Sequence, residues 1–189
     1  GKYKNKNKAY NYSKNLIRYG VDIIDVGGES TRPGANQVSE KEEWKRIYST
    51  LIKLKKLKKI ISLDTRKSLI MKKGIECGVD IINDVSGLKH DLNSINVIKK
   101  FNSPFVIHHM QGTPSTMQIN PKYRNVLLDI YDFFEKKISF IRKKGVKHNN
   151  ILIDPGIGFG KNLKHNITLI SNISIFHSLG FPVLLGVSR

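Results

Sequence analysis

Apolar residues along this chain keep two rhythms, and the rhythms take turns. Short, largely apolar runs occupy residues 21–26, 60–63, 80–85, 105–109, 151–153 and 182–187. Such runs, bounded by glycine and polar residues, predict buried strands. Between them apolar residues recur every three or four positions, the period of an amphipathic helix. Residues 3–19 carry Ala9, Tyr12, Leu16 and Tyr19 in that spacing, and Gly20 closes the stretch. Ser39 and Glu42 have the spacing of a capping box, opening a helix expected to bury Trp44, Ile47, Leu51 and Leu54. Further helices are predicted over 68–77, stopped by Gly78, over 93–101, and over 166–179. The clearest one places Val126, Leu127, Ile130, Phe133, Phe134, Ile138 and Ile141 on one face and ends at Gly145.

Strand and helix in regular alternation mean parallel strands joined by right-handed crossovers. Two α/β architectures satisfy this: an open doubly wound sheet and a closed (β/α) barrel. Both gather function at the carboxyl ends of the strands. No linker, low-complexity segment or repeat beyond the βα unit interrupts residues 1–189, which read as one domain.

Composition narrows the class. The chain has 189 residues, 39% hydrophobic and 25% charged, a globular balance. No apolar run approaches the roughly 20 residues that span a bilayer, so no membrane partner is expected. Cys77 is the one cysteine, which rules out an internal disulfide and points to a reducing, cytoplasmic compartment. Organelle targeting stays open, because the natural N-terminus is not seen. The net charge of +18 raises nucleic acid as a partner. Its lysines crowd predicted helices, however, at Lys53, Lys55, Lys56, Lys58 and Lys59 and again at Lys136, Lys137, Lys143 and Lys144. These read as solvated helix faces, so no nucleic acid is expected; an anionic small substrate would be attracted by the same field.

The candidate chemistry is one-sided. Every predicted strand runs into a polar or glycine-rich stretch: GGESTRPGA at 27–35, DTRK at 64–67, NDVSG at 83–87, HHMQGT at 108–113, DPGIGFGKN at 154–162, and Gly186, Ser188 and Arg189 at the last. The opposite strand ends are plain. A doubly wound sheet concentrates its site at one switch point, whereas here all strands contribute, which favours the barrel. Asp25, Asp64, Asp84 and Asp154 stand at or near strand ends. Buried carboxylates need donors or they take up protons. Two aspartates with the amide of Asn83 suit a flat heterocycle whose edge offers paired N–H donors, such as a pterin or guanine; they equally suit Mg²⁺. The 27–35 loop has other chemistry: glycine N–H groups, the Thr31 hydroxyl and the Arg32 fork fit an anion.

Plainer readings stand beside these. Asp25 is expected to hold its own loop. His108 and His109 are adjacent on a strand and point to opposite faces, so they do not share a metal. Cys77 reads as core. Gly156, Gly158 and Gly160 do not make the dinucleotide fingerprint, and no P-loop or zinc spacing is present.

Taken in order, IIDVGGESTRPGA, SLDTRK, IINDVSG, HHMQGTPSTMQ, DPGIGFGKN and LLGVSR closely resemble the dihydropteroate synthase family of folate biosynthesis. The resemblance implies a (β/α)8 TIM barrel, incomplete here: about strands 2 to 7, with the first and last missing. It implies condensation of 6-hydroxymethyl-7,8-dihydropterin diphosphate with 4-aminobenzoate, with diphosphate released. Asp64, Asn83 and Asp154 match the family's pterin-binding positions, and Val85, Met110, Phe159 and Gly186 its pocket walls. Thr31 and Arg32 match the mobile loop that meets the anionic end of the substrate and helps to build the aminobenzoate site. Asp64 and Arg32 are thereby the expected catalytic pair. The family's Mg²⁺ is assisted by an Asn expected before Gly1, so no metal ligand is expected within this chain. Its Ser-Arg-Lys lysine is expected after Arg189, as are the late diphosphate-binding residues and the helices through which the intact parent would form a homodimer. Arg66 replaces a smaller residue common in the family's aspartate-threonine motif. A barrel left open in this way is expected to be inactive alone. A pterin- or folate-binding methyltransferase barrel is the nearest alternative, and a basic nucleic-acid-binding protein a more distant one.

Overall fold

The computed structural model describes residues 6–32 and 35–187. Five parallel strands form its sheet: β1 (Ile23–Gly27), β2 (Ile60–Asp64), β3 (Ile81–Asp84), β4 (Phe105–His108) and β5 (Ile151–Asp154). The helices are α1 (Lys6–Arg18), α2 (Glu40–Leu54), α3 (Ser68–Glu76), α4 (Ser94–Phe101), α5 (Val126–Lys143) and α6 (Leu163–Ser171). Spatial order equals chain order, β1-β2-β3-β4-β5, with no reversal.

That order, with the pairing register, decides between the two architectures. Register and pleat put Ile24, Ile61, Leu63, Ile82, Phe105, Ile107, Ile151 and Ile153 on one face. All are buried, in one apolar cluster with Ile47 and Leu51 of α2, Ile70 and Met71 of α3, Ile98 of α4, Phe134 and Ile141 of α5, and Leu169 of α6. The helices therefore cover one face only, whereas a doubly wound sheet has them on both. This is the arc of a (β/α) barrel. Its inner face carries Asp25, Ser62, Asp64, Ile81, Asn83, Val106, His108, Leu152 and Asp154.

Several expectations are corrected. The strand expected over 182–187 shrinks to one parallel bridge between Ile153 and Val183. Ile153 N–H donates to the Pro182 carbonyl (3.0 Å) and Leu184 N–H to the Ile153 carbonyl (2.8 Å). Beyond it residues 185–187 are exposed, with no further strand beside them among the described residues to extend a ladder. Pro33, Gly34, Ser188 and Arg189 lie outside the described residues. The helix expected over 166–179 begins earlier, at Leu163, because Asn162 and His165 cap each other reciprocally. It breaks at Asn172, and Ile173–Leu179 continues as a 3-10 turn.

Two helix faces also differ. In α1 it is Tyr10 and Ile17, with buried Ser13 between them, that turn to the core. Ala9, Tyr12 and Leu16 instead line a groove of about 580 Å³ along the outer edge of β1, an edge without a partner strand among the described residues. Tyr19 is exposed. In α2 the Ser39 side chain accepts from Glu42 N–H (3.3 Å), half of the capping box. Glu42 reaches forward to Arg46 (2.9 Å) rather than back. Glu43, not Trp44, takes the buried position four residues before Ile47. Trp44 is half-buried against Tyr48.

α3 sits very close to β2. A Cβ on Gly74 would run into the Leu63 side chain. Gly74→Ala is expected to destabilise the full-length protein by about 1–3 kcal/mol, the usual cost of overpacking a tight contact. Chemical denaturation would show this as a lower midpoint at unchanged slope.

Candidate active site

The inner face becomes polar where the strands end. Asp64 closes β2 and lies in register with Asn83 on β3 and with Gly27 on β1. A Cβ on Gly27 would stand 3.3 Å from both the Cβ and Oδ2 of Asp64, so glycine there leaves the carboxyl its room. Asp25 lies on the same face and is bonded to the side chains of Ser62 and Asn83. It does not hold its own loop, as expected from sequence, but belongs to the cluster. Burial raises the Asp64 pKa well above the usual carboxylate value, and the charges of Asp25, Asp84 and Glu43 add to this against Arg66. Asp25 is exposed along the edge of β1; the protein on its other side raises its pKa, against the bonds from Ser62 and Asn83. Asn83 Oδ1 is buried without a partner among the described residues.

Asp84 is the exception among the acidic strand ends. Its place in the pleat turns it to the helix side, where it is fully buried. It accepts from Ser86 N–H (2.8 Å), the Ser86 hydroxyl (2.6 Å) and Leu88 N–H (3.0 Å), so it anchors the loop after β3.

Two strands on, His108 and Asp154 lie in register on the inner face. Asp154 Oδ1 accepts from Gly156 N–H at 2.7 Å. Its Oδ2 stands 3.8 Å from His108 Nε2, too long for a hydrogen bond. Burial, then the charge of Lys161, pushes the His108 pKa down to about 3, so the ring is neutral and the two do not form an ion pair. Burial pushes Asp154 up to about 6, against the Gly156 N–H and Lys161. His109 faces the other way, its ring 4.8 Å from that of Phe133, as strand alternation requires. No three His, Cys, Asp or Glu side chains come together to hold a metal among the described residues.

Loops complete the walls. Val85 and Met110 follow the inward Asn83 and His108 by two residues and are buried. The Phe159 ring meets His108 edge-on, centroids 4.4 Å apart. A Cβ on Gly186 would stand 3.9 Å from Asp154 Oδ2. The loops after β4 and β5 press together at Gly156, whose φ of +72° suits glycine and whose missing Cβ would collide with the His109 carbonyl. Lys161, 2% exposed, staples them. Its ammonium donates to the Phe159 carbonyl (2.9 Å) and lies 3.4 Å from the His109 carbonyl and 3.1 Å from His109 Nδ1. Burial lowers its pKa to about 7.

Thr31 and Arg32 stand apart from these groups on the loop after β1. Thr31 is half-buried and Arg32 exposed, and no hydrogen bond or ion pair joins them to Asp64, Asn83 or Asp154 among the described residues. Under that loop lie residues that sequence reasoning missed. Glu29 pairs with Arg66 and Lys67, and Lys67 also pairs with Glu43. Thr65 gives its hydroxyl to Glu43 at 2.6 Å. A signal existed for Glu43: an acid on the buried stripe of α2. Lys161, set within a glycine run, offered none.

A model of the pterin binding enzyme family matches residues 1–189. The chain belongs to that family. Its relatives include a dihydropteroate synthase of Haemophilus influenzae, 38% identical over 190 residues, covering all of this chain and 69% of the relative. A Yersinia pestis dihydropteroate synthase solved with a sulfonamide drug superposes with a TM-score of 0.94 at 36% identity, over 98% of this chain and 67% of that one. A Xanthomonas albilineans dihydropteroate synthase solved with 4-aminobenzoic acid gives 0.90 at 32% identity, over 97% of this chain and 65% of that one. The chain thus spans about two thirds of the length of the family members it matches.

For a pterin-binding enzyme the Asp154 titration has a visible consequence. A carboxylate accepts from ring N–H and amino donors; a carboxylic acid does not. Pterin affinity is expected to fall about tenfold from pH 7 to pH 5, as a group titrating near 6 becomes protonated. Pterin fluorescence titrations on the full-length protein would measure this, and Asp154→Asn should remove the dependence centred near pH 6. Stability runs the other way. The folded state keeps a proton that the unfolded carboxyl has released, so this group's contribution declines as pH rises from about 4 to about 6.

Proposed function

We propose that this chain forms the pterin half of a dihydropteroate synthase, which joins 6-hydroxymethyl-7,8-dihydropterin diphosphate to 4-aminobenzoate. The observation that carries the reading is the convergence of Asp64, Asn83 and Asp154 on the inner face at the carboxyl ends of β2, β3 and β5. Membership of the pterin binding enzyme family supports it, as does the likeness to dihydropteroate synthases over nearly the whole chain.

Each group has a task in this reaction. Asp154 accepts from the donor edge of the pterin. Asn83, whose Oδ1 lacks a partner among the described residues, gains one from the ring; buried amides are rarely left unpaired. Val85, Met110 and Phe159 clasp the ring faces. In the chemical step the bond between the pterin methylene and the diphosphate oxygen breaks, and its electron pair leaves with the diphosphate. The pterin ring shares the positive charge. Asp64, crowded by other acids and easily protonated in the empty site, becomes favoured as a carboxylate once that charge develops beside it. The aminobenzoate nitrogen then forms the new bond to carbon and loses a proton to solvent. Arg32 and Thr31, on the neighbouring loop, meet the anionic groups. Mg²⁺, when bound, would neutralise diphosphate. The described residues do not themselves gather a metal-binding set, and no step here is routed through the ion.

The test is synthesis of dihydropteroate from the two substrates by the full-length protein, with diphosphate release followed in parallel. Asp64→Asn is expected to lower kcat by about a hundredfold, the scale of removing one preorganised charge, with a smaller loss of pterin affinity beside it. Asn83→Ala should chiefly raise KM for the pterin. Methyl transfer from a folate without diphosphate release would replace this reading with the methyltransferase one.

A further inference from the structure

The ion cluster beneath the β1 loop is built from residues far apart in sequence. Glu29 lies on that loop, Glu43 in the first turn of α2, and Thr65, Arg66 and Lys67 directly follow Asp64. Two carboxylates face two cations, so the charges balance. Glu43 is fully buried, and Glu29, Arg66 and Lys67 nearly so. Against burial, Lys67 and Arg66 hold the Glu29 pKa below its usual range.

Glu29 does more than pair. Its Oε2 also accepts from Val38 N–H at 3.3 Å, at the far end of the same loop. One carboxylate thus fastens both limbs, residues 28–32 and 35–38, to the segment that follows Asp64. The near limb lies flat on α2: a Cβ on Gly28 would stand 2.8 Å from Glu43 Cγ and 2.9 Å from its carbonyl oxygen. Arg46 Nη1 holds the Gly28 carbonyl at 3.1 Å. Thr65 N–H donates to the Asn83 carbonyl at 3.1 Å, but no side chain of this cluster is bonded to Asn83 or Asp154 among the described residues.

We infer that Glu29 and Glu43, joined through Arg66, Lys67 and Thr65, are positioning residues that latch the loop bearing Thr31 and Arg32 to the end of β2. The latch fixes those two side chains relative to Asp64, and its side chains are bonded to the loop rather than to Asn83 or Asp154, so it serves chiefly the second, anionic substrate. This rests on the dihydropteroate synthase reading.

The experiment uses the full-length protein with Glu29→Gln, which keeps shape and removes the charge that pairs with Arg66 and Lys67. KM for 4-aminobenzoate is expected to rise about tenfold, a modest share of what an unpaired buried charge costs, while pterin affinity, measured directly by fluorescence, stays within about twofold. Hydrogen exchange at amides 30–32 and 35–38 should quicken, with no change at residues 83–86 or 154–156. Should Glu29→Gln fail to fold, Thr65→Val serves in its place: it deletes the neutral donor to Glu43 and the acceptor of Lys67 N–H, and the same pattern is expected at about threefold. An unchanged aminobenzoate KM, or equal losses for both substrates, overturns the latch. A wild-type protein without synthase activity would defeat the functional reading instead, and the exchange pattern would then decide the latch alone.

Discussion

The pleat of a parallel strand governs this molecule. Successive side chains point to opposite faces, and helices cover one face only. The covered face must be apolar or internally satisfied; the other is left for chemistry. In β3 the consequence is visible within four residues. Ile82 and Asp84 go under the helices, Ile81 and Asn83 go inward. A slip of one residue would put Ile81 and the Asn83 amide under the helices and turn Ile82 and Asp84 inward, so register and site are fixed by the same packing.

Against that background the carboxylates sort themselves by the donors they receive. Asp84 is enclosed by the turn it anchors and receives two N–H groups and a hydroxyl. Glu29 and Glu43 receive cations and a hydroxyl. Asp64 and Asp154 receive less than burial demands and their pKa values rise, while that of Asp25 is raised although its side chain is exposed at the edge of β1. Raised carboxyls with unused oxygens are costly to a fold and gain a purpose from a ligand that brings donors. Three acids at strand ends are therefore a different matter from one that merely ties a turn, although the sequence writes all four with the same letter.

Much of this was legible before any coordinates. Period and punctuation placed five strands and most helices, because apolar runs and glycine stops report burial and chain reversal directly. The barrel was legible from the polar stretch after every strand. The failures have physical causes. Ala9, Tyr12 and Leu16 do share a helix face, but which of two faces meets the core depends on neighbours that the periodicity does not contain. The 182–187 run has strand composition, yet a strand needs a ladder on at least one side along its length. Asp25 and Asp84 were misjudged because both stand near strand ends, and only the exact register separates inward from outward. Glu29, Lys67 and Lys161 were missed because surface lysines and glutamates look the same in sequence as buried ones. The motif resemblance pointed to Met110, Phe159 and Gly186, which no pattern argument reached; Phe159 lies against His108 and Gly186 near Asp154.

The many lysines sharpen one last point. With a net charge of +18, a cation near any buried acid would be easy to supply, and Lys161 is buried close by. It nonetheless donates to the Phe159 carbonyl and leans on His109, forming no ion pair with Asp154 among the described residues. Had it paired, Asp154 would be permanently ionised and its oxygens occupied. As built, the charge of Lys161 opposes the rise of the Asp154 pKa without cancelling it, while Oδ2 has no hydrogen bond among the described residues. A lysine at bonding distance would hold the acid for structure; one held by the Phe159 carbonyl instead leaves its Oδ2 open to a donor.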